Sequence, residues 1–164
     1  MDLHVQSSII LSVFSTAAGS GKTLTAINIA AEMAQQGYSV CLLDLDLQFG
    51  DVANYLGVPK DITMADAQQE LQNHPRDFSI YRYLLTYRQQ NVHFSVLLPP
   101  VQLEDAYRMD VSALEQMVQC LDGFDFIIMD LTPVLNILNM VMLDLKYHHH
   151  LYRSGGYPAG HQEL

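Results

Sequence analysis

The chain has 164 residues, 49% of them hydrophobic, enough for one domain with a substantial core. Eighteen acidic residues against eight basic ones give a net charge of −10, and the only lysines are Lys22, Lys60 and Lys146. No basic stripe is available to neutralise nucleic-acid phosphates or anionic lipid, so direct nucleic-acid or membrane binding by this chain is excluded as an expectation.

The first predicted element is an apolar strand over 8–14, with Ile9, Ile10, Leu11, Val13 and Phe14. It enters T-A-A-G-S-G-K-T, Thr16 to Thr23, and then a helix carrying Leu24, Ile27, Ala30, Ala31 and Ala34 that stops near Gln36 at Gly37. Strand, glycine-rich loop and helix in that order are the context of a phosphate-binding loop. The segment Gly19, Ser20, Gly21, Lys22, Thr23 and Leu24 is the expected nucleotide cradle. Backbone N–H groups would wrap an anion at the helix N-terminus, Lys22 would reach the β and γ phosphates, and the Thr23 hydroxyl would hold Mg²⁺. Thr16 stands where the G-x-x-x-x-G-K-[ST] pattern has its first glycine.

A second apolar run, Val40 to Leu43, leads into D-L-D-L-Q-F-G-D over 44–51. The βαβ unit so formed implies a parallel sheet, with Asp44 and Asp46 emerging at its carboxyl edge beside the loop, where ligands of open α/β sheets bind. From Val52 to Gln90 the pattern predicts helices and loops. Thr63 with Asp66 forms a capping box, and an amphipathic segment over 78–87 carries Ile80, Tyr83, Leu84 and Tyr87 as packing residues.

A third strand is expected over 92–98, closed by Pro99 and Pro100, then a helix opened by a capping box of Ser112 and Glu115 and stopped at Gly123. The run F-D-F-I-I-M-D over 124–130 reads as a strand delivering Asp130, the usual carboxylate partner of a phosphate-binding loop for Mg²⁺ or its water. Cys41 and Cys120 both read as reduced core thiols. With no positive leader at the N-terminus and no apolar run of membrane-spanning length, a cytoplasmic location is expected.

From Lys146 onward the strand–helix alternation stops, and the expectation is an irregular tail over 146–164 after an incomplete domain over 8–145. The histidine run 148–150 lacks the spacing and supporting shell of a specific metal site. Codon arithmetic suggests another origin for it. Read one base later, the codons of Tyr147, His148, His149, His150 and the start of Leu151 each become Ile or Thr, a buried-strand signature that the fold lacks at this point. The tail is therefore read as out of frame and the domain as truncated, with an unpaired sheet edge that favours aggregation or partial unfolding in isolation.

Three strings, A-A-G-S-G-K-T (17–23), L-L-D-L-D-L-Q-F-G-D (42–51) and F-D-F-I-I-M-D-L-T-P (124–133), resemble the MinD/ParA group of deviant P-loop ATPases. V-L-L-P-P (96–100) followed by L-E-D-A is similar to its CpaE/TadZ-like pilus-assembly branch. The resemblance implies a three-layer α/β fold on a mostly parallel sheet, and ATP with Mg²⁺ held between the subunits of a homodimer in the full-length family. Its partners would be pilus, secretion or polar-localisation proteins.

Carried over residue by residue, the resemblance makes Lys22 and Thr23 the phosphate and Mg²⁺ ligands and Asp44 a carboxylate near the metal. Asp46 orients the attacking water, and Asp130 is the Walker B aspartate. Lys22 and Asp46 are thus the catalytic pair, and Thr23, Asp44 and Asp130 the metal set. Ala17 stands where the family's loop has a lysine that reaches the partner's nucleotide. Loss of such a cation in trans costs on the order of 10³ in rate, so ATP hydrolysis is less secure than ATP binding. Two alternatives share the loop: a tyrosine-kinase-like protein of polysaccharide export, whose arginine-rich string after the second strand is replaced here by Leu47, Gln48 and Phe49, and a non-catalytic nucleotide-binding scaffold.

Overall fold

A computed structural model describes residues 8–17, 19–134 and 136–152. Five strands, β1 (Ile9–Val13), β2 (Val40–Asp44), β3 (Leu85–Gln89), β4 (Val92–Leu97) and β5 (Phe126–Asp130), form one sheet in the order β1-β5-β2-β4-β3. β1, β5, β2 and β4 run parallel, and β3 pairs antiparallel to β4. Helices cover both faces, as the near-continuous apolar runs of β2 and β5 require. The architecture is the three-layer, mostly parallel α/β fold expected above.

Alternation along the strands divides the core in two. Val40, Leu42, Val96 and Ile128 face α1 (Lys22–Gln35), which buries Ala26, Ala30 and Ala34 against them. Small residues on that stripe let the helix lie close to the sheet, and α2 (Val52–Leu56) extends the same layer through Val52 and Ala53. Cys41, Leu43, Ile127 and Met129 face the other way. They pack against α3 (Met64–Asn73), α5 (Val111–Gln119) and α6 (Ile137–Tyr152), which contribute Met64, Ala67, Leu114, Met117, Leu138 and Met142. A short helix, α4 (Leu103–Tyr107), joins β4 to α5. At the amino edge, Asp125 accepts from the Ser39 hydroxyl at 2.7 Å and from its N–H at 2.8 Å, pinning the starts of β2 and β5 together. These hydrogen bonds hold the Asp125 carboxyl below its ordinary pKa.

Several expectations change. The segment 78–87 is not one amphipathic helix: a single 3₁₀ turn spans Ile80–Tyr83, and Leu85 begins β3. Leu85 and Tyr87 point to the sheet core, with Thr86 and Arg88 outward. That period of two was masked by the preceding aromatics, and it is realised because β4 offers its outer edge. The α5 cap is Asp110 rather than Ser112. Its carboxylate accepts from the Ser112 N–H at 3.2 Å and the Ser112 hydroxyl at 2.8 Å, so the helix starts at Val111, ahead of the expected cap. Aspartate competes as well as serine at that position.

Cys41 is buried, its thiol pKa raised by burial, but Cys120 is exposed at the end of α5 and is not a core thiol. The helix α6 passes through Lys146 to Tyr152, a stretch expected to be irregular. Once its first turns are docked, each added residue gains a backbone hydrogen bond, and no glycine or proline interrupts before Gly155. The rest of the expected tail, 153–164, lies outside the described residues. Among the described residues, no helix is long and apolar enough to cross a membrane, and no group of three or more His, Cys, Asp and Glu side chains is placed to hold a metal ion.

The Thr63 capping box forms as expected, with Thr63 Oγ1 accepting from the Ala65 N–H at 3.2 Å and Asp66 accepting from the Thr63 N–H at 2.8 Å. Thr63→Ala is expected to cost about 1 kcal/mol of unfolding free energy. Urea denaturation checks this, and an unchanged midpoint would show that the cap contributes nothing to α3.

Candidate functional site

The site is built where three neighbouring strands end together. Parallel pairing sets Val13 beside Asp130 and Asp130 beside Asp44, and by alternation both aspartates continue the rows that face α1. The chain leaving β1 crosses this edge and enters α1 through Gly19 and Gly21, which have φ of 69° and 81°. A β-carbon would be strained at either, which is why the sequence has glycine there. Gly21 is the N-cap of α1, and no side chain caps the helix. Its first N–H groups, the positive end of the helix and Lys22 are thus presented together, a local arrangement suited to an anion.

Gly19, Ser20, Gly21, Lys22, Thr23 and Leu24 line one wall of an open cavity of about 1340 Å³. Asp46 and residues Leu45 to Phe49 line a second wall, and Thr132, Pro133 and Val134 a third. Tyr107 of α4, Met109 of the turn that follows, and Val111 and Leu114 of α5 extend the cavity as an apolar lobe that the sequence reading did not anticipate. Their spacing looked like ordinary helix packing, and only the tertiary fold turns Tyr107, 77% exposed, toward the site.

The expected metal residues separate into two kinds. Thr23 sets its hydroxyl beside Asp130, which is 2% exposed and whose Oδ1 is buried with no hydrogen-bond partner among the described residues. A buried, unsatisfied carboxylate oxygen beside a threonine hydroxyl and Lys22 fits a bound cation or its water. Burial raises the Asp130 pKa, against the pull of Thr23 and Lys22.

Asp44 is placed differently. It is fully buried, does not line the cavity, and accepts from the Asp46 N–H at 3.3 Å through one oxygen and from the Val52 N–H at 3.1 Å through the other. Its observed task is to tie down both ends of the loop 45–52. Gly50 closes over it so tightly that a β-carbon there would lie 2.6 Å from Asp44 Oδ2 and from Pro99 Cγ. Nothing local in the D-L-Q-F-G-D string marks this second role for glycine. Asp46, half-buried at the cavity wall, accepts from the Phe49 N–H at 3.1 Å and so keeps its own turn folded.

A sequence profile of the AAA domain family matches residues 8–146. The chain belongs to this family. It is 29% identical over 124 residues to the chromosome-partitioning ATPase Soj of Treponema pallidum, an overlap covering 74% of this chain and 47% of that protein. Its fold is similar to that of the septum site-determining protein MinD of Pyrococcus horikoshii complexed with Mg-ADP, with a TM-score of 0.70 and 26% identity over 83% of this chain and 54% of that one. The kinase domain of the Escherichia coli tyrosine kinase ETK shares the fold at a TM-score of 0.61 and 18% identity, covering 86% of this chain and 53% of the kinase chain. The chain spans about half the length of these relatives. In sequence and fold it is a MinD/ParA-type P-loop domain.

Desolvation raises the Asp44 pKa from its ordinary 3.8 to about 7, opposed by the Val52 and Asp46 N–H groups and reinforced by the charge of Asp130. The folded state therefore holds this proton more firmly than the unfolded chain does. The contribution of Asp44 to stability is complete below about pH 4 and declines as pH rises to about 7. The stability difference between wild type and Asp44→Asn, followed by thermal melting from pH 4 to 8, is expected to shift in favour of the variant across that interval. A difference independent of pH would contradict the raised pKa.

Proposed function

We propose that this domain binds ATP with Mg²⁺ at the cradle formed by Gly19 to Leu24. The observation that carries the reading is the convergence of an uncapped α1 N-terminus, Lys22 and the Thr23–Asp130 pair on one cavity. Lys22 neutralises the β and γ phosphates, the N–H groups of the loop hold the phosphate oxygens, and Thr23 and Asp130 would hold Mg²⁺, which screens charge on the phosphates when bound. Asp44 serves the site by fixing the loop that carries Asp46, and Asp46 orients the attacking water. Hydrolysis of this kind is mostly positioning, so a small displacement of that loop is costly.

With Ala17 exposed in place of a cation, turnover by this domain is expected to be slow while binding is retained. The cellular role proposed is a localisation or assembly factor for a type IV-like (Tad/Flp) pilus or secretion apparatus, working with polar-localisation or pilus proteins. Support for that branch comes from the D-L-Q-F-G-D string over 46–51 and from V-L-L-P-P over 96–100. A second copy of the chain bound across the nucleotide face is part of the same reading. Phe49, 76% exposed at the cavity wall, suits such a contact.

Equilibrium binding of a fluorescent ATP analogue with and without Mg²⁺, paired with phosphate release, tests the proposal. Lys22→Ala is expected to weaken binding at least about tenfold, by loss of a charge-assisted contact. Asp46→Ala is expected to keep binding and abolish whatever turnover the wild type has. Transfer of label to tyrosine would instead support the kinase-like reading, and a wild-type protein that binds no nucleotide would leave the scaffold reading.

A further inference from the structure

Among the described residues, the buried side chain of Asn139 ties down the cavity wall formed by Thr132, Pro133 and Val134. Asn139, in the first turn of α6, is fully buried. Its Nδ2 donates to the Thr132 carbonyl at 3.0 Å, the Thr132 hydroxyl at 2.9 Å and the Val134 carbonyl at 2.6 Å. Its own N–H donates to Asn136 Oδ1 at 2.8 Å, which caps the helix. Asn139 Oδ1 has no hydrogen-bond partner among the described residues. The amide is thus oriented by its donor side alone, aimed back at the segment that follows Asp130.

That segment lines the cavity through Thr132, Pro133 and Val134, directly after the strand that presents Asp130. Without Asn139, the Thr132 carbonyl and hydroxyl would lose the hydrogen bonds it donates and the Val134 carbonyl would keep only the Asn136 N–H at 3.0 Å and the Thr132 hydroxyl at 3.4 Å, so the segment would lose its tie to α6. A serine or threonine in the first turn of α6 could supply one donor, and an apolar residue none.

Resting on the nucleotide reading above, we infer that Asn139 is a positioning residue: through Thr132 and Val134 it fixes the wall against which the terminal phosphate of a bound triphosphate is held. It touches neither nucleotide nor metal. A diphosphate bound in the Gly19–Thr23 cradle depends on that wall less, so the effect of losing the clamp falls on the triphosphate.

Asn139→Thr and Asn139→Val test this, because they are nearly isosteric and differ in one hydroxyl donor. Affinities for ADP and for a non-hydrolysable ATP analogue are measured for wild type and both variants, with amide exchange over 132–136 in the unliganded protein as an independent readout. Asn139→Val is expected to keep ADP affinity within about threefold, to lose about tenfold in affinity for the analogue, and to exchange faster over 132–136; Asn139→Thr recovers part of each. Wild-type ADP-to-analogue ratios and wild-type exchange in Asn139→Val would overturn the inference alone. Equal weakening of both nucleotides would overturn it as a merely structural effect. A wild-type protein that binds neither nucleotide overturns the nucleotide reading and this inference with it, even where the exchange data reveal the clamp.

Discussion

The register of three parallel strands is the constraint on which the site depends. β1, β5 and β2 are paired so that Val13, Asp130 and Asp44 end at one level, and everything chemically interesting is placed by that alignment. The loop leaving β1 must cross the edge to reach α1, which brings Lys22 and Thr23 over Asp130. A shift of one residue in the pairing of β5 would turn Asp130 to the opposite face, into the layer of Met117 and Met142. The register is held by buried apolar rows on both faces, Ile128 on one and Ile127 with Met129 on the other. The core thus stabilises the site by fixing strand position, and no part of the site needs to hold itself together.

The loops at this edge are tied back by buried polar side chains in two places. Asp44 gathers the ends of the segment 45–52, and Asn139 gathers the segment after Asp130. Both are fully buried, and the hydrogen bonds they make go mainly to backbone rather than to the cavity. Loops that must present groups to a ligand cannot bury much apolar surface of their own, so their conformation is set by such clamps. Gly50 belongs to the same device, since the absence of a side chain lets the chain pass over the Asp44 carboxylate.

The fold and the edge of the site were legible because their signals are local. A glycine-rich turn between an apolar strand and a helix announces itself, and so do apolar strands that end in aspartate. The same local logic placed the Thr63 cap correctly. What escaped depends on distant partners. β3 is a strand because β4 offers it an edge, although the aromatics before Leu85 suggested a helix. Whether Asp44 faces a metal or ties a loop could not be told from its position at a strand end, because the hydrogen bond to Val52 spans eight residues of loop. Asn139 resembled any polar residue in a helical pattern until the turn after Asp130 folded beneath it. The apolar lobe formed by Tyr107 and Met109 likewise exists only once α4 and α5 are docked.

On the proposed reading an anion-bearing nucleotide sits at the α1 N-terminus with its outer phosphates between the two tethered loops. Hydrogen exchange of the full chain with and without Mg-ATP analogue reads this out segment by segment. New protection is expected at 19–24, with smaller protection at 45–49 and 132–134, and little change in α3. Protection absent from 19–24, or concentrated away from the sheet's carboxyl edge, would contradict it.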